Sequence, residues 1–329
     1  MQSGVKGENV ILEVRNLSKF FRMGRHSVLK AVHDVSFSVR KGETLGLVGE
    51  SGCGKTTCGR TSIGLYEKTS GSTLFNGKEI AQMKGKERKD LTKRVQMVFQ
   101  DPYTSLDPKM KVHRLIAEGI RIHNIAANRN EEQEIVLDML QKVGLHPSYA
   151  YRNIKEFSGG QRQRIGIARA LAVQPEFLLC DEPISALDVS IQAQIMNLLM
   201  ELQEKMGLTY LFIAHDLAVV KHFCDRIAVM YLGKIVEMGG SEEVYGHPLH
   251  PYTKALMSAV PIPDPDLEMG RKKILLSGES SSHMGEDRCR FADRCPYVSN
   301  QCRNEGPSLK QRSRGKPPKK CMANKPPEN

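Results

Sequence analysis

The sequence predicts an α/β fold. A parallel sheet carries its chemistry at the C-terminal ends of its strands, an antiparallel layer precedes it, a helical stretch interrupts it, and a small cysteine-containing extension follows. Three observations support this reading. Gly49-Glu50-Ser51-Gly52-Cys53-Gly54-Lys55-Thr56 fits the phosphate-binding pattern G-x-x-x-x-G-K-[ST], between an apolar run, Thr44–Val48, and a predicted helix over 55–65. Phe177-Leu178-Leu179-Cys180 is wholly apolar and ends on Asp181-Glu182. Tyr210-Leu211-Phe212-Ile213-Ala214 is equally apolar and ends on His215. Short uninterrupted apolar runs are the mark of parallel strands buried on both faces, and such sheets hold their ligands at the strands' carboxyl ends.

The chain has 329 residues, enough for one large domain and an appendage or for two domains. It is 40% hydrophobic and 26% charged, the balance of a globular protein. No apolar run reaches the roughly 18 residues of a membrane span. Met1–Lys6 lacks the apolar core of a secretion leader, so the cytoplasm is the expected compartment, with Cys53, Cys58, Cys180 and Cys224 as buried thiols. The net charge of +11 is uneven: Lys310 to Lys325 holds seven Lys or Arg and no acid. This tail has the composition of a solvated disordered segment, or of one attracted to anionic lipid or nucleic acid.

In chain order, 11–17 alternates as a strand, and Val35, Phe37 and Val39 alternate with polar neighbours as another. Between them Phe21 is a candidate ring for stacking on a base. In the glycine-rich loop, backbone N–H groups wrap a polyphosphate and the helix start adds its positive dipole end. Lys55 is placed to reach the terminal phosphates and the Thr56 hydroxyl to bind Mg²⁺. Asn76-Gly77 marks a hairpin between 72–75 and 78–80. The strand 95–99 ends at Gln100. From 112 to about 151 the pattern is helical, with Leu137, Leu140 and Val143 on one face and Glu131, Glu132 and Glu134 near a helix start. Ser158-Gly159-Gly160-Gln161 opens a helix through Ile165, Ala168 and Leu171, a second anion-binding start. Asp181 is a candidate Mg²⁺ ligand, Glu182 a candidate to orient or deprotonate water, and His215 a candidate γ-phosphate sensor. Ser185-Ala186-Leu187-Asp188 leads into a further helix, and Leu232-Gly233 turns a hairpin between 226–231 and 234–237. After Gly239-Gly240, prolines mark a boundary, and a weakly periodic segment holds Cys289, Cys295, Cys302 and Cys321.

Over roughly residues 10 to 245 this order of motifs resembles the ATP-binding subunit of an ABC transporter, a P-loop NTPase with a RecA-like core, an antiparallel β subdomain and a helical subdomain at about 101–160. The resemblance implies an ATP site of Phe21, Gly49, Glu50, Ser51, Gly52, Cys53, Gly54, Lys55, Thr56 and Thr57. It implies Mg²⁺ at Thr56, Gln100 and Asp181, and catalysis by Glu182, His215 and Gln100. Ser158, Gly159, Gly160 and Gln161 resemble the signature motif, which acts on ATP held by a partner. Ser185, Ala186, Leu187 and Asp188 resemble the D-loop.

The stretches 98–108, 157–164, His250-Pro251-Tyr252-Thr253 and the closing cysteines resemble the peptide and nickel permease ATPases, and 105–108 with 231–237 resemble their oligopeptide/dipeptide F type. On that resemblance residues 246–329 are the extension. The partners are a second ATP-binding subunit, two transmembrane permease subunits and an extracytoplasmic solute-binding protein, and the chain works peripherally on the cytoplasmic face of the membrane. No nucleic-acid partner is expected. Some related permease ATPases carry a four-iron four-sulfur cluster, for which four thiolates are the usual ligands; structural zinc and uncomplexed thiols are the alternatives. Ser280-Ser281-Ser282 departs from the family, which more usually has a proline-rich link there. The competing functions are a nickel or glutathione-like importer ATPase, a nucleic-acid-associated ABC ATPase and an exporter ATPase.

Overall fold

The computed structural model describes residues 9–24, 27–260, 269, 273–276 and 288–304. Cys321, the basic tail from Lys310 and Ser280–Ser282 lie outside them.

Two long strands open the chain, β1 (Val10–Arg22) and β2 (Val28–Arg40), followed by β3 (Thr44–Val48), the phosphate-loop strand, and α1 (Lys55–Ser62). Helix α1 stops three residues short of the predicted Leu65. Gly64 at φ 73° is left-handed, and Leu65 N–H turns back to the Arg60 carbonyl at 2.9 Å, a glycine-closed helix end. Strands β4 (Ser70–Phe75) and β5 (Lys78–Glu79) form the expected hairpin, with Asn76 and Gly77 at φ 47° and 76°. Ile80 belongs to a following 3-10 turn instead of the strand. Helix α2 (Gly85–Arg94) leads into β6 (Val95–Val98).

After α3 (Pro102–Ser105), the stretch predicted helical from 112 to about 151 is several pieces, α4 (Val112–Ile122), α5 (Arg129–Lys142) and a 3-10 turn (Pro147–Tyr151), with a second 3-10 turn (Ile154–Glu156) beyond it. Asn124 at φ 50° ends α4, with Ile125 N–H on the Ile120 carbonyl at 2.9 Å, and the Asn128 side chain then caps α5. Helix α5 buries Val136, Met139 and Leu140, with Val143 directly after it, while Leu137 is only partly buried. Arg121 of α4 and Glu132 of α5 form a two-bond ion pair at 2.6 and 2.7 Å.

The rest alternates α6 (Gly159–Leu171), β7 (Phe177–Asp181), α7 (Val189–Met206), β8 (Thr209–Ala214), α8 (Leu217–Phe223), β9 (Arg226–Tyr231) and β10 (Lys234–Gly240), then α9 (Ser241–Gly246), α10 (Pro251–Ala259) and α11 (Asn300–Asn304).

The strands make two sheets. One is antiparallel, in the order β2-β1-β4-β5. The other runs β10-β9-β3-β8-β7-β6 and is parallel except for the β9-β10 hairpin. Strict alternation along its central strands divides the interior. Leu45, Leu47, Phe177, Leu179, Leu211 and Ile213 face a core shared with the antiparallel sheet. Val48, Leu178, Cys180, Tyr210 and Phe212 face a second core built with the helices. Burial on both faces is why these strands read as unbroken apolar runs. Cys53, Cys58, Cys180 and Cys224 are all buried. Among the described residues no helix is long and apolar enough to cross a membrane.

Candidate functional site

Strand β3 delivers the chain into the glycine loop between two neighbouring strands. Gly49 has φ 153°, and a Cβ there would lie 2.2 Å from the Met230 carbonyl oxygen of β9. Gly54 has φ 104°, and its Cβ would lie 2.2 Å from the Ala31 carbonyl oxygen of β2. Both positions therefore exclude any side chain. Lys55 is buried at the start of α1, and its Nζ donates to the carbonyls of Gly49 (2.8 Å) and Glu50 (3.0 Å). The same ammonium is 3.8 Å from Glu182 Oε1.

Next to it, Thr56 Oγ1 donates to Asp181 Oδ1 at 2.7 Å across the α1–β7 gap. Asp181 is wholly buried, and burial holds its carboxyl above the ordinary range, against the pull of the Thr56 bond and the Arg60 charge. Arg60 Nη2 is 3.0 Å from Asp181 Oδ2. Sequence reading missed this partner, although Arg60 stands one helical turn beyond Thr56 on the same face.

Glu182, the first residue beyond β7, is left-handed at φ 45°. Its N–H donates to the Ile213 carbonyl of β8 at 3.1 Å. Gln100 Nε2 donates to its Oε2 at 2.9 Å, and His215 Nδ1 is 3.4 Å from that same oxygen. The ends of β6, β7 and β8 thus converge on one carboxylate beside Lys55. The His215 ring is half exposed. Ser51 is exposed and Thr57 half-buried.

The remaining predicted residues stand on other elements. Ser158 caps α6, accepting from Gln161 N–H, while Gln161 Oε1 accepts from Ser158 N–H at 3.1 Å, a reciprocal capping box. A Cβ on Gly160 would lie 2.6 Å from Ile191 of α7, and one on Gly159 3.5 Å from Leu187. The segment 185–188 therefore lies against the start of α6. Ser185 N–H and Oγ both bond the Glu182 carbonyl, at 3.2 and 3.1 Å, and Asp188 stands at the start of α7. Phe21 is half-buried on β1, edge-on to Tyr66 at 6.2 Å, with Lys19 Nζ 4.8 Å from its ring centre.

Cys289 and Cys302 are buried and Cys295 is half-buried. Cys289 N–H donates to the Cys302 carbonyl at 2.9 Å. Among the described residues no group of three or more His, Cys, Asp or Glu is placed to hold a metal ion. The described thiols therefore do not by themselves fit a cluster. Two contacts that sequence reading missed reach the loop from this C-terminal region: Tyr252 Oη accepts from Glu50 N–H at 2.9 Å, and Arg294 Nη1 is 3.0 Å from Glu50 Oε2.

A glycine loop with a buried lysine, a buried Asp–Thr pair and a braced second carboxylate, at the carboxyl ends of a parallel sheet, define the nucleotide-hydrolysing P-loop class. Comparison with known proteins narrows the class. The family described as ABC transporter matches residues 32–185, and the oligopeptide/dipeptide transporter C-terminal region matches 236–302. The oligopeptide transport ATP-binding protein OppF of Bacillus subtilis (strain 168) is 57% identical over 278 residues, covering 84% of this chain and 90% of the relative. OppF of Escherichia coli (strain K12) is 50% identical over 318 residues, covering 94% and 95%. Among solved structures, cbiO1 from Clostridium perfringens superimposes with a TM-score of 0.65 at 29% identity, covering 73% of this chain and 92% of that one. The ATP-binding cassette MJ0796, in a dimeric post-hydrolysis state with ADP and Pi, gives 0.63 at 28% identity, covering 70% and 99%. The chain belongs to the ATP-binding subunits of ABC transporters, in the oligopeptide transport branch. It binds ATP with Mg²⁺ and hydrolyses the nucleotide.

Proposed function

We propose that this chain is the ATP-hydrolysing subunit that powers oligopeptide import through an ABC transporter, acting on the cytoplasmic face of the membrane. The observation that carries the catalytic reading is the Glu182 carboxylate, held by Gln100 at 2.9 Å and His215 at 3.4 Å beside the Lys55 ammonium. The cargo is taken from the names of the relatives, which are oligopeptide transport proteins across most of this chain's length.

In this reading the 49–57 backbone and Lys55 bind the phosphates. The hydroxyl of Thr56 and the carboxylate of Asp181 are hard oxygen donors already paired at 2.7 Å, a fit to Mg²⁺, with the Gln100 amide as a third candidate. The cation neutralises charge on the terminal phosphates when bound. Glu182 takes a proton from the attacking water, Gln100 and His215 fix the direction of its carboxylate, and His215 senses the terminal phosphate. Phe21 stacks on the base. Ser158–Gln161 act on ATP held by a second ATP-binding subunit, and Ser185–Asp188 tie that contact to the Glu182 backbone.

Residues 10–245 form the cassette, with the lobe near 101–160 docking on two transmembrane permease subunits and Gln100 linking the site to it. Residues 246–329 form the extension. A solute-binding protein delivers the peptide outside. In reconstituted vesicles, Lys55→Ala should reduce ATPase activity to background and stop uptake of a labelled oligopeptide, because the phosphates lose their charge partner. Unchanged ATPase activity in the assembled complex would remove the phosphate-loop reading.

The four-iron four-sulfur reading of Cys289, Cys295, Cys302 and Cys321 rests on the count of thiols, which matches the usual ligand set. Iron and sulfide near about four each per chain in anaerobically purified protein support it; one zinc supports a closed structural site; neither metal retires both.

A further inference from the structure

Glu50 is fixed at every polar group it has. Its carbonyl accepts from Lys55 Nζ at 3.0 Å and from Cys53 N–H at 3.3 Å, both within the glycine loop. Its other two groups are held from the far end of the chain. Its N–H donates to Tyr252 Oη at 2.9 Å, and its carboxylate accepts from Arg294 Nη1 and Nη2 at 3.0 and 3.4 Å. Arg294 is 12% exposed and Glu50 35%, so this part-buried pair is screened somewhat less than a fully exposed one.

The segment carrying Arg294 is itself anchored. Phe291 is buried against the rings of Tyr231, Tyr252 and His250, at 5.2, 5.6 and 5.5 Å. Arg290 donates to the Leu232 carbonyl and lies 2.9 Å from His33 Nδ1. The Leu232-Gly233 turn in turn bonds the loop, Gly233 N–H to the Cys53 carbonyl at 2.8 Å. The C-terminal segment thus grips the phosphate loop directly and through this turn.

The geometry points to Arg294 and Tyr252 as positioning residues for ATP: together they hold Glu50, and with it the curl of the loop that receives the phosphates, and Arg294 cancels a carboxylate charge beside a polyanion. The inference rests on the reading of 49–57 as the phosphate loop. It gives the C-terminal extension a part in nucleotide binding whether or not its cysteines hold a metal. The effect falls on affinity more than on turnover, because the strut shapes the site equally for bound ATP and for its transition state.

The test uses the full chain in the assembled transporter, reading Mg-ATP affinity by titration with a fluorescent ATP analogue, and kcat and KM separately. Arg294→Met keeps the apolar stem and removes the charge; Tyr252→Phe keeps the ring and removes the hydroxyl. Each should raise Kd and KM about three- to thirtyfold, the effect of one hydrogen bond or charged contact, with kcat changed less than about twofold. Glu50→Gln combined with Arg294→Met should bind more tightly than Arg294→Met alone, since the uncompensated carboxylate is gone. A purely structural role would not produce that rescue. If Arg294→Met and Tyr252→Phe bind Mg-ATP as wild type while Lys55→Ala does not, the strut is overturned and the phosphate-loop reading stands. Lower melting temperatures with unchanged affinity likewise overturn it. If Lys55→Ala itself binds normally, the phosphate-loop reading fails first.

Discussion

Two adjacent carboxylates at the end of β7 occupy opposite environments. Asp181 is wholly buried, bonded by Thr56 and Arg60, and suited to a cation. Glu182, one residue on, leaves the strand at φ 45°, a conformation costing a non-glycine residue about 1–3 kcal/mol. That twist turns its side chain to Gln100, His215 and Lys55, and the Ile213 and Ser185 bonds hold it there. His250 presents a different single-residue problem. Burial holds its imidazole down at about 4, while its Nδ1 accepts from Tyr252 N–H at the start of α10. The charged neighbour on its backbone side is Glu237, whose carboxylate accepts from the Leu249 and His250 N–H groups. The folded value lies below the unfolded one near 6.5, so the unfolded chain takes up the proton first. Stability is therefore complete above about pH 6.5 and declines as pH falls toward about 4, by roughly 3 kcal/mol from this residue. Denaturant midpoints at pH 7 and 4.5 should diverge in wild type and diverge less in His250→Asn, which keeps a capping acceptor that does not titrate. Equal pH sensitivity in both would rule the assignment out.

At the scale of elements, legibility followed locality. Strands β3, β7 and β8 were readable because burial on both faces leaves a nearly continuous apolar run, and the turns because positive φ favours Asn76, Gly77 and Gly233, whereas Leu232 takes φ 42° against its preference. The start of α6 was read from Ser158 and its two glycines as an anion-binding start, and the structure adds the reciprocal Ser158–Gln161 cap. The start of α5 was marked by Glu131 and Glu132 in its first turn, but the end of α4 was hidden. Asn124 closes α4 with no glycine or proline to announce it, and the apolar pattern runs straight through Ile122 and Ile125. Element ends also moved wherever a local hydrogen bond to a preceding turn decided them, as Gly64 did for α1. Within the site, the residues marked by sequence converge as far as Lys55, Thr56, Gln100, Asp181, Glu182 and His215 are concerned. Arg60 was overlooked, and the contacts of Tyr252 and Arg294 with Glu50 were invisible, because their sequence separations of 202 and 244 residues leave no periodic trace.

At the scale of the molecule, one sheet edge-to-edge order explains the layout. Strand β3 lies between β8 and β9, so the loop after it meets the ends of β7 and β8 on one side and the β9–β10 turn, with the C-terminal segment behind it, on the other. The predicted signature residues Ser158 and Gln161 cap α6 reciprocally, and in the proposed complex this helix start faces ATP held by a second subunit. In that proposed complex the molecule supplies half of each site, its own phosphate loop and carboxylates being closed by another chain's helix start. The most direct test is Glu182→Gln in the assembled transporter, followed by the amount of ATP retained and the rate of its hydrolysis. Loss of a positioned general base should slow turnover about 10²–10⁴-fold, roughly 3–5 kcal/mol of barrier, while intact ATP stays trapped in a closed pair of ATP-binding subunits. Hydrolysis near the wild-type rate, with no retained ATP, would contradict the assignment of Glu182 as the base on which this account turns.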